Sequence, residues 1–299
     1  MPWDPIRLNS GYYIPGIAFG TWTLGNGQAT IDQVDQALET GFNHIDTAQS
    51  YRNEFETGTA LHESGLSRSD VFVATKFSGT NGLDIATSIQ NSLSNLGVDY
   101  VDLYLIHHPR LAIPDIPTAW AQMEKVHEAG LAKSIGVSNF DAKDLAVLLA
   151  SAKVKPAVNQ ILLHPYVYHR QRPILEYAAA NGIVIEAYST LIPITKMPGG
   201  PLDKPLNEIA TKLGATTDQV LFAWVKAKGA VVVTTSSKKS RLEGYLAAGD
   251  IVLSAEDVAA IDAAGELGEN RMFTEQKWIG AALLGVGVLA GLCRYLDVL

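Results

Sequence analysis

Val101-Asp102-Leu103-Tyr104-Leu105-Ile106-His107 is the stretch that decides how this chain is read: a short, mostly apolar run that ends on an imidazole. Two earlier stretches have the same form. Val71-Phe72-Val73-Ala74-Thr75 closes on Lys76, and Phe42-Asn43-His44-Ile45 closes on Asp46, with Tyr51 in the loop that this last run feeds. Such runs, rich in β-branched and aromatic residues and separated by helical stretches, are predicted strands of a parallel sheet. A polar residue at the exit of such a strand stands where an α/β barrel builds its active site. Asp46, Tyr51, Lys76 and His107 would then bring a carboxylate, a phenol, an ammonium and an imidazole to one rim, a set suited to proton transfer.

Working outward, the strand–helix alternation continues in both directions. Ile17 to Trp22 is a predicted strand, and Thr30-Ile31-Asp32-Gln33 reads as a capping box opening a helix that buries Ile31, Val34 and Leu38. Gly41 ends that helix. Further helices are predicted near Glu54–Glu63, Asp84–Leu96 (stopped by Gly97) and Thr118–Ala129 (with Gly130 as its cap). Ser134–Val137, Ala157–Gln160, Ile183–Tyr188 and Ala230–Thr234 are four more strands, followed by helices near 142–152, 172–180, 206–213 and 240–247. Eight alternating units close a (β/α)8 TIM barrel, an α/β fold, whereas an open sheet of five or six strands would leave some over. Tyr12-Tyr13-Ile14-Pro15 is predicted to form a short hairpin strand over the barrel floor.

Composition narrows the possibilities. The chain has 299 residues, 47% of them hydrophobic, enough for one large core, and a net charge of −8 that argues against nucleic acid as a partner. Cys293 is the single cysteine, so no intramolecular disulfide can form and a reducing, cytoplasmic setting is expected. The start, Met1-Pro2-Trp3-Asp4-Pro5, has no charged-then-apolar signal pattern. His107 and His108 are no metal pair, because neighbours on a strand point to opposite faces, and no metal is expected. His44 and His164 read as structural, Trp120 and Trp224 as helix packing, and Gly25-Asn26-Gly27 as a turn.

Gly41-Phe42-Asn43-His44-Ile45-Asp46-Thr47-Ala48 with Tyr51-Arg52-Asn53-Glu54 closely resembles the first signature of the aldo-keto reductases. Asp102 to Pro109, Gly136-Val137-Ser138-Asn139-Phe140 and Val158-Asn159-Gln160 resemble later blocks of that family, in order, over about residues 8–265. The resemblance implies hydride transfer from a nicotinamide cofactor to an aldehyde or ketone, a small-molecule substrate, giving the alcohol. It makes Tyr51 the general acid, Lys76 and Asp46 its ion-paired tuners, and His107 the group that orients the carbonyl. An unperturbed phenol near pKa 10 is a reluctant donor at neutral pH, and the ammonium is expected to lower it. The resemblance also implies that Ser138, Asn139 and Gln160 hold the nicotinamide carboxamide, that Tyr188 stacks on its ring, and that Ser236 and Arg241 clamp the adenosine phosphate. Around that clamp the sequence departs from the family, with Thr235-Ser236 for Lys-Ser and Gly244-Tyr245 for Glu-Asn. Lys238, Lys239 and Arg241 keep the charge that favours NADPH over NADH. Trp22, just past the first strand, is expected to wall the substrate pocket. The alternative function is a cofactor-sensing binding subunit of a membrane channel built on the same barrel.

The barrel is expected to occupy residues 1–276 and an apolar tail residues 277–299. Trp278–Cys293 carries no charge and is bracketed by Lys277 and Arg294. As a helix it would span about 24 Å, short of the ~30 Å hydrocarbon core of a bilayer. Gly287 and Gly291 give the small-xxx-small spacing of helices packed in lipid. Two readings stand side by side: a terminal helix packed on the barrel or on a partner chain, and a C-terminal membrane anchor with the barrel on the cytoplasmic side. Substrate identity and oligomeric state are not legible in the sequence.

Overall fold

In the computed structural model, which describes residues 2–269, eight parallel strands close into a barrel. An antiparallel hairpin of β1 (Ile6–Arg7) and β2 (Tyr13–Ile14) precedes them. The barrel strands are β3 (Ile17–Gly20), β4 (His44–Asp46), β5 (Phe72–Phe77), β6 (Val101–Ile106), β7 (Ala132–Ser138), β8 (Val158–Leu162), β9 (Val184–Tyr188) and β10 (Val231–Thr234). They pair in chain order, and β10 closes the ring between β9 and β3.

Helices α1 (Gln28–Thr40), α2 (Glu54–Glu63), α3 (Ile85–Leu96), α4 (Ile116–Glu128), α5 (Ala142–Leu149) and α6 (Pro165–Ala180) connect the first seven strands. After β9 come α7 (Ile192–Thr195), α8 (Asp203–Leu213) and α9 (Thr217–Ala227). After β10 come α10 (Lys239–Ala247) and a helical stretch over 255–269. Gly41 and Gly97 end α1 and α3 at φ 112° and 64°, the left-handed cap that glycine adopts without a Cβ penalty.

Two expectations are corrected. The helix after β3 does not start on a Thr30 capping box. It begins a turn earlier, at Gln28 behind Gly27, and the buried Thr30 hydroxyl donates instead to the Leu24 carbonyl at 3.2 Å. The second correction is α9, to which the sequence reading assigns no bounds although it places Trp224 in helix packing. Its residues Val220 to Val225 are all buried, so it has no polar face to set up a helical period.

Alternation along each strand divides the core in two. Tyr104, Ile106, Val73 and Val137 face the helices and join Val34, Ile89, Trp120 and Leu145 in one large cluster. Phe72, Ala74, Leu103, Leu105, Val158 and Val231 form a second cluster with Leu8 and Ile14 of the hairpin, which plugs the barrel floor as expected. Strands buried on both faces explain why the runs read as nearly continuous apolar sequence. The 278–293 segment and both readings of it lie outside the described residues. Among those residues no helix is long and apolar enough to cross a membrane.

Candidate active site

Polar residues of the loop after β4 fix its shape. Asn53 is fully buried: its amide donates to the carbonyls of Thr21 and Gly25, both at 2.9 Å, and its Oδ1 accepts from Thr21 and Thr47. Glu54, also buried, accepts the Thr75 hydroxyl at 2.6 Å. These anchors tie the helical turn Gln49–Tyr51 to β3, β4 and β5, and so set where Tyr51 stands.

Lys76 is buried with no exposure, and its Nζ donates to Asp46 Oδ1 at 2.7 Å, to Asp46 Oδ2 at 2.8 Å and to the Thr47 carbonyl at 2.9 Å. Burial opposes its charge, but the Asp46 carboxylate and then Tyr51 outweigh that, and the Lys76 pKa ends above the usual lysine value. The ammonium lies 5.1 Å from the centre of the Tyr51 ring, and the Tyr51 and His107 rings meet edge to face with centroids 5.6 Å apart. All four sequence-predicted residues therefore share one end of the barrel.

The electrostatics differ from expectation at Tyr51. Its pKa is raised rather than lowered: burial is the largest cause, Lys76 pulls the other way, and Asp46 pushes it up again. The ammonium is real, but it is already matched by Asp46, and the ring is out of water. Tyr51 is thus held as the O–H form. His107 is pushed down to about 3, by burial first and then by Lys76, His108 and Arg110, so its ring is neutral.

A second group joins the first. Gln160 uses both amide hydrogens on carboxyl oxygens, Asp46 Oδ2 at 2.8 Å and Glu186 Oε2 at 3.0 Å, which leaves its Oε1 as an acceptor. The Ser138 hydroxyl donates to the Gln160 carbonyl, and Asn139, at φ 63°, donates to the His107 carbonyl and to Ser138 Oγ, both at 3.0 Å. Tyr188 donates its hydroxyl to Asn139 Oδ1 at 2.8 Å. Close approach of β7 to its neighbours requires Gly136: a Cβ there would lie 2.6 Å from the Val158 carbonyl oxygen. Trp22, 57% exposed, lies just past β3.

Ser236 and Arg241 stand apart from this network. Ser236 Oγ accepts the Lys238 amide hydrogen at 3.1 Å, and Arg241 is exposed in the first turn of α10 beside Lys238 and Lys239. Backbone N–H groups at a helix start, with three cations around them, suit an anion such as a phosphate. Thr235 Oγ1 beside them is buried and has no hydrogen-bond partner among the described residues.

The sequence reading missed Glu186. It is completely buried in β9, with Oε1 3.6 Å from His44 Nε2. Burial first, then Asp46, pushes its pKa up to about 8, and His44 is pushed down to about 3, mainly by burial. At neutral pH the contact therefore joins two neutral groups and is not an ion pair. The signal was present: an ionisable residue inside Ile183–Tyr188, two positions before Tyr188 and so on the same strand face.

Comparison with known proteins shows the family to which this barrel belongs. The profile of the aldo/keto reductase family matches residues 16–194 and 198–266. The NAD/NADP-dependent indole-3-acetaldehyde reductase of Schizosaccharomyces pombe is 38% identical over 269 residues, covering 86% of this chain and 93% of the relative. The glyoxal reductase of Bacillus subtilis is 34% identical, covering 87% and 92%. Among solved structures, the Bombyx mori aldo-keto reductase in complex with NADP superposes with a TM-score of 0.80 at 31% identity, covering 88% of this chain and 92% of that one. The matched residues run through all eight barrel strands, and the chain belongs to the aldo/keto reductase family.

Proposed function

We propose that the protein reduces an aldehyde or ketone to the alcohol with NADPH, and that Tyr51 is the general acid. The observation that carries this reading is the buried Lys76–Asp46 pair beside a protonated Tyr51 and a neutral His107. A bound nicotinamide supplies the hydride. The alkoxide that hydride attack creates takes its proton from the Tyr51 hydroxyl, and Lys76 stabilises the phenolate left behind. Asp46 keeps Lys76 charged and in place. A neutral His107 donates one hydrogen bond to the carbonyl oxygen as charge develops there.

The chain's own groups fit the cofactor. Gln160 Oε1, Ser138 and Asn139 would hold the carboxamide, which offers both donors and an acceptor, and Tyr188 would lie against the ring. Ser236, Arg241 and the neighbouring lysines would take the 2′-phosphate. Trp22 would wall the pocket. The names of the relatives, an indoleacetaldehyde reductase and a glyoxal reductase, support a small aldehyde as substrate class. The reading as a cofactor-sensing subunit draws support from none of the described residues.

Tyr51→Phe tests the acid role. Turnover of a nitrobenzaldehyde should fall by roughly 10²–10⁴-fold while the melting temperature holds, and near wild-type turnover would overturn the assignment. Arg241→Ala should weaken NADPH binding by about 2–3 kcal/mol and leave NADH nearly unchanged; equal losses would place Arg241 at the adenine or in the fold.

A further inference from the structure

The reading of His107 as carbonyl donor requires its ring proton on a particular nitrogen, and the surroundings of the ring bear on which one. Ser78 directly follows β5, and Ser50 lies in the helical turn before Tyr51. Ser78 Oγ is 3.0 Å from His107 Nδ1, and Ser50 Oγ is 3.4 Å from the same nitrogen. The two hydroxyls are 3.1 Å apart, and the Ser50 backbone N–H donates to Ser78 Oγ at 3.3 Å. Among the described residues nothing bonds Nε2.

We propose that Ser50 and Ser78 are positioning residues that clamp His107 in the tautomer carrying its proton on Nε2. The proposed role of the ring sets this direction: a neutral imidazole that donates from Nε2 to a carbonyl must accept at Nδ1. Of the three acceptors within reach of the Ser78 hydroxyl, Nδ1 at 3.0 Å is nearest, ahead of Ser50 Oγ at 3.1 Å, whose own hydrogen can go on to Nδ1, and the Lys76 carbonyl at 3.4 Å. The bond at one ring nitrogen sets the proton at the other, so an accepting Nδ1 leaves Nε2–H to meet the substrate oxygen. The cations Lys76 and Arg110 near the ring oppose a second proton. The clamp rests on the proposed role of His107, and its test does not depend on turnover alone.

Nitrogen NMR of the imidazoles in the full-length protein, with His107 assigned through a His107→Gln variant, reads the tautomer directly. The wild type should show a protonated Nε2 and a bare Nδ1. In Ser50→Ala/Ser78→Ala the two forms should mix. Its kcat should fall by about tenfold from lost orientation, with KM for NADPH unchanged. Ser78→Thr, which keeps the hydroxyl, should restore both readouts, and the single alanine variants should fall between if the double variant folds poorly. A protonated Nδ1 in the wild type, or a double variant with unaltered spectrum and kcat, overturns the clamp. The expected wild-type tautomer in a protein that reduced no carbonyl would uphold the clamp and sink the proposed activity instead.

Discussion

Along the barrel axis the interior changes character within two residues on three of the strands. In the floor, Leu8, Ile14, Phe72, Ala74, Leu103, Leu105, Val158 and Val231 form one apolar cluster. In the upper half, Asp46, Lys76, Gln160 and Glu186 are just as dry, none above 3% exposed, yet all are polar or ionisable. The change occurs from Ala74 to Lys76 on β5, from Leu105 to His107 on β6, and from Val158 to Gln160 on β8. The floor gains stability from burying hydrocarbon. The upper half gives much of that up for groups that must satisfy one another: one ammonium for two carboxyl groups, one amide bridging both. Stability and chemistry are thus carried by successive positions of the same strands.

Removing the one cation should have the largest effect. Lys76→Met leaves Asp46 buried without its partner, and unfolding free energy should drop by about 3–5 kcal/mol together with nearly all carbonyl reduction. Adding Asp46→Asn removes the stranded charge and should recover most of the stability, but none of the turnover. Denaturant titration beside an aldehyde assay distinguishes the two. A loss under about 1 kcal/mol for Lys76→Met would mean that the upper layer behaves like a solvated surface pair and that the contrast with the floor is false.

Most of the floor and half of the upper layer were legible in the sequence, for different reasons. A strand buried on both faces declares itself as an apolar run, so β5, β6 and β9 were found with their polar exits. The pattern Thr-x-x-Gln, by contrast, has opposite outcomes at two places. At Thr216–Gln219 it is a reciprocal cap and opens α9, whose bounds are hard to read because six successive residues, Val220 to Val225, are apolar. At Thr30–Gln33, where a cap was expected, the hydroxyl is buried against the Leu24 carbonyl. Local pattern does not reveal which way a hydroxyl faces. The direction of the Tyr51 shift was hidden likewise, since it depends on how far burial and Asp46 offset Lys76, a sum over several strands.

Glu186 sharpens the comparison through pH. Its folded pKa of about 8 lies above the ordinary 4.5, so between these values the folded chain keeps a proton that the unfolded chain has released. Stability should therefore decline as pH rises through that interval and level off above it. His44 and His107, pushed down to about 3, and His164, pushed down to about 4, act in the opposite sense. Below about 6.5 the unfolded chain takes up protons that these folded rings refuse, so stability falls as pH drops. The sum places the maximum near pH 6.5. Glu186→Gln keeps the acceptor for Gln160 and should abolish the alkaline decline, leaving the variant more stable than wild type by a few kcal/mol at pH 8. Parallel curves for variant and wild type from pH 6.5 to 8.5 would show that Glu186 is ionised in the fold after all.

The smallest effect belongs to the floor. Ile14 has no exposed surface and packs from the hairpin into the closed end of the barrel. Ile14→Val deletes one methylene there, and the close-packed surroundings relax only in part, so stability should fall by about 0.5–1.5 kcal/mol. Turnover and KM should not move, because the polar layer of Asp46, Lys76 and Gln160 stands between Ile14 and the rim. Ile14→Thr is close to valine in shape but brings a hydroxyl among Leu8, Phe72 and Leu103, where no acceptor has been set aside for it. It should cost about 1–3 kcal/mol beyond the valine variant. Equal stability of the two would mean that the floor tolerates a polar group as the upper half does. A change in kcat with either would mean that the two halves of the interior are mechanically coupled.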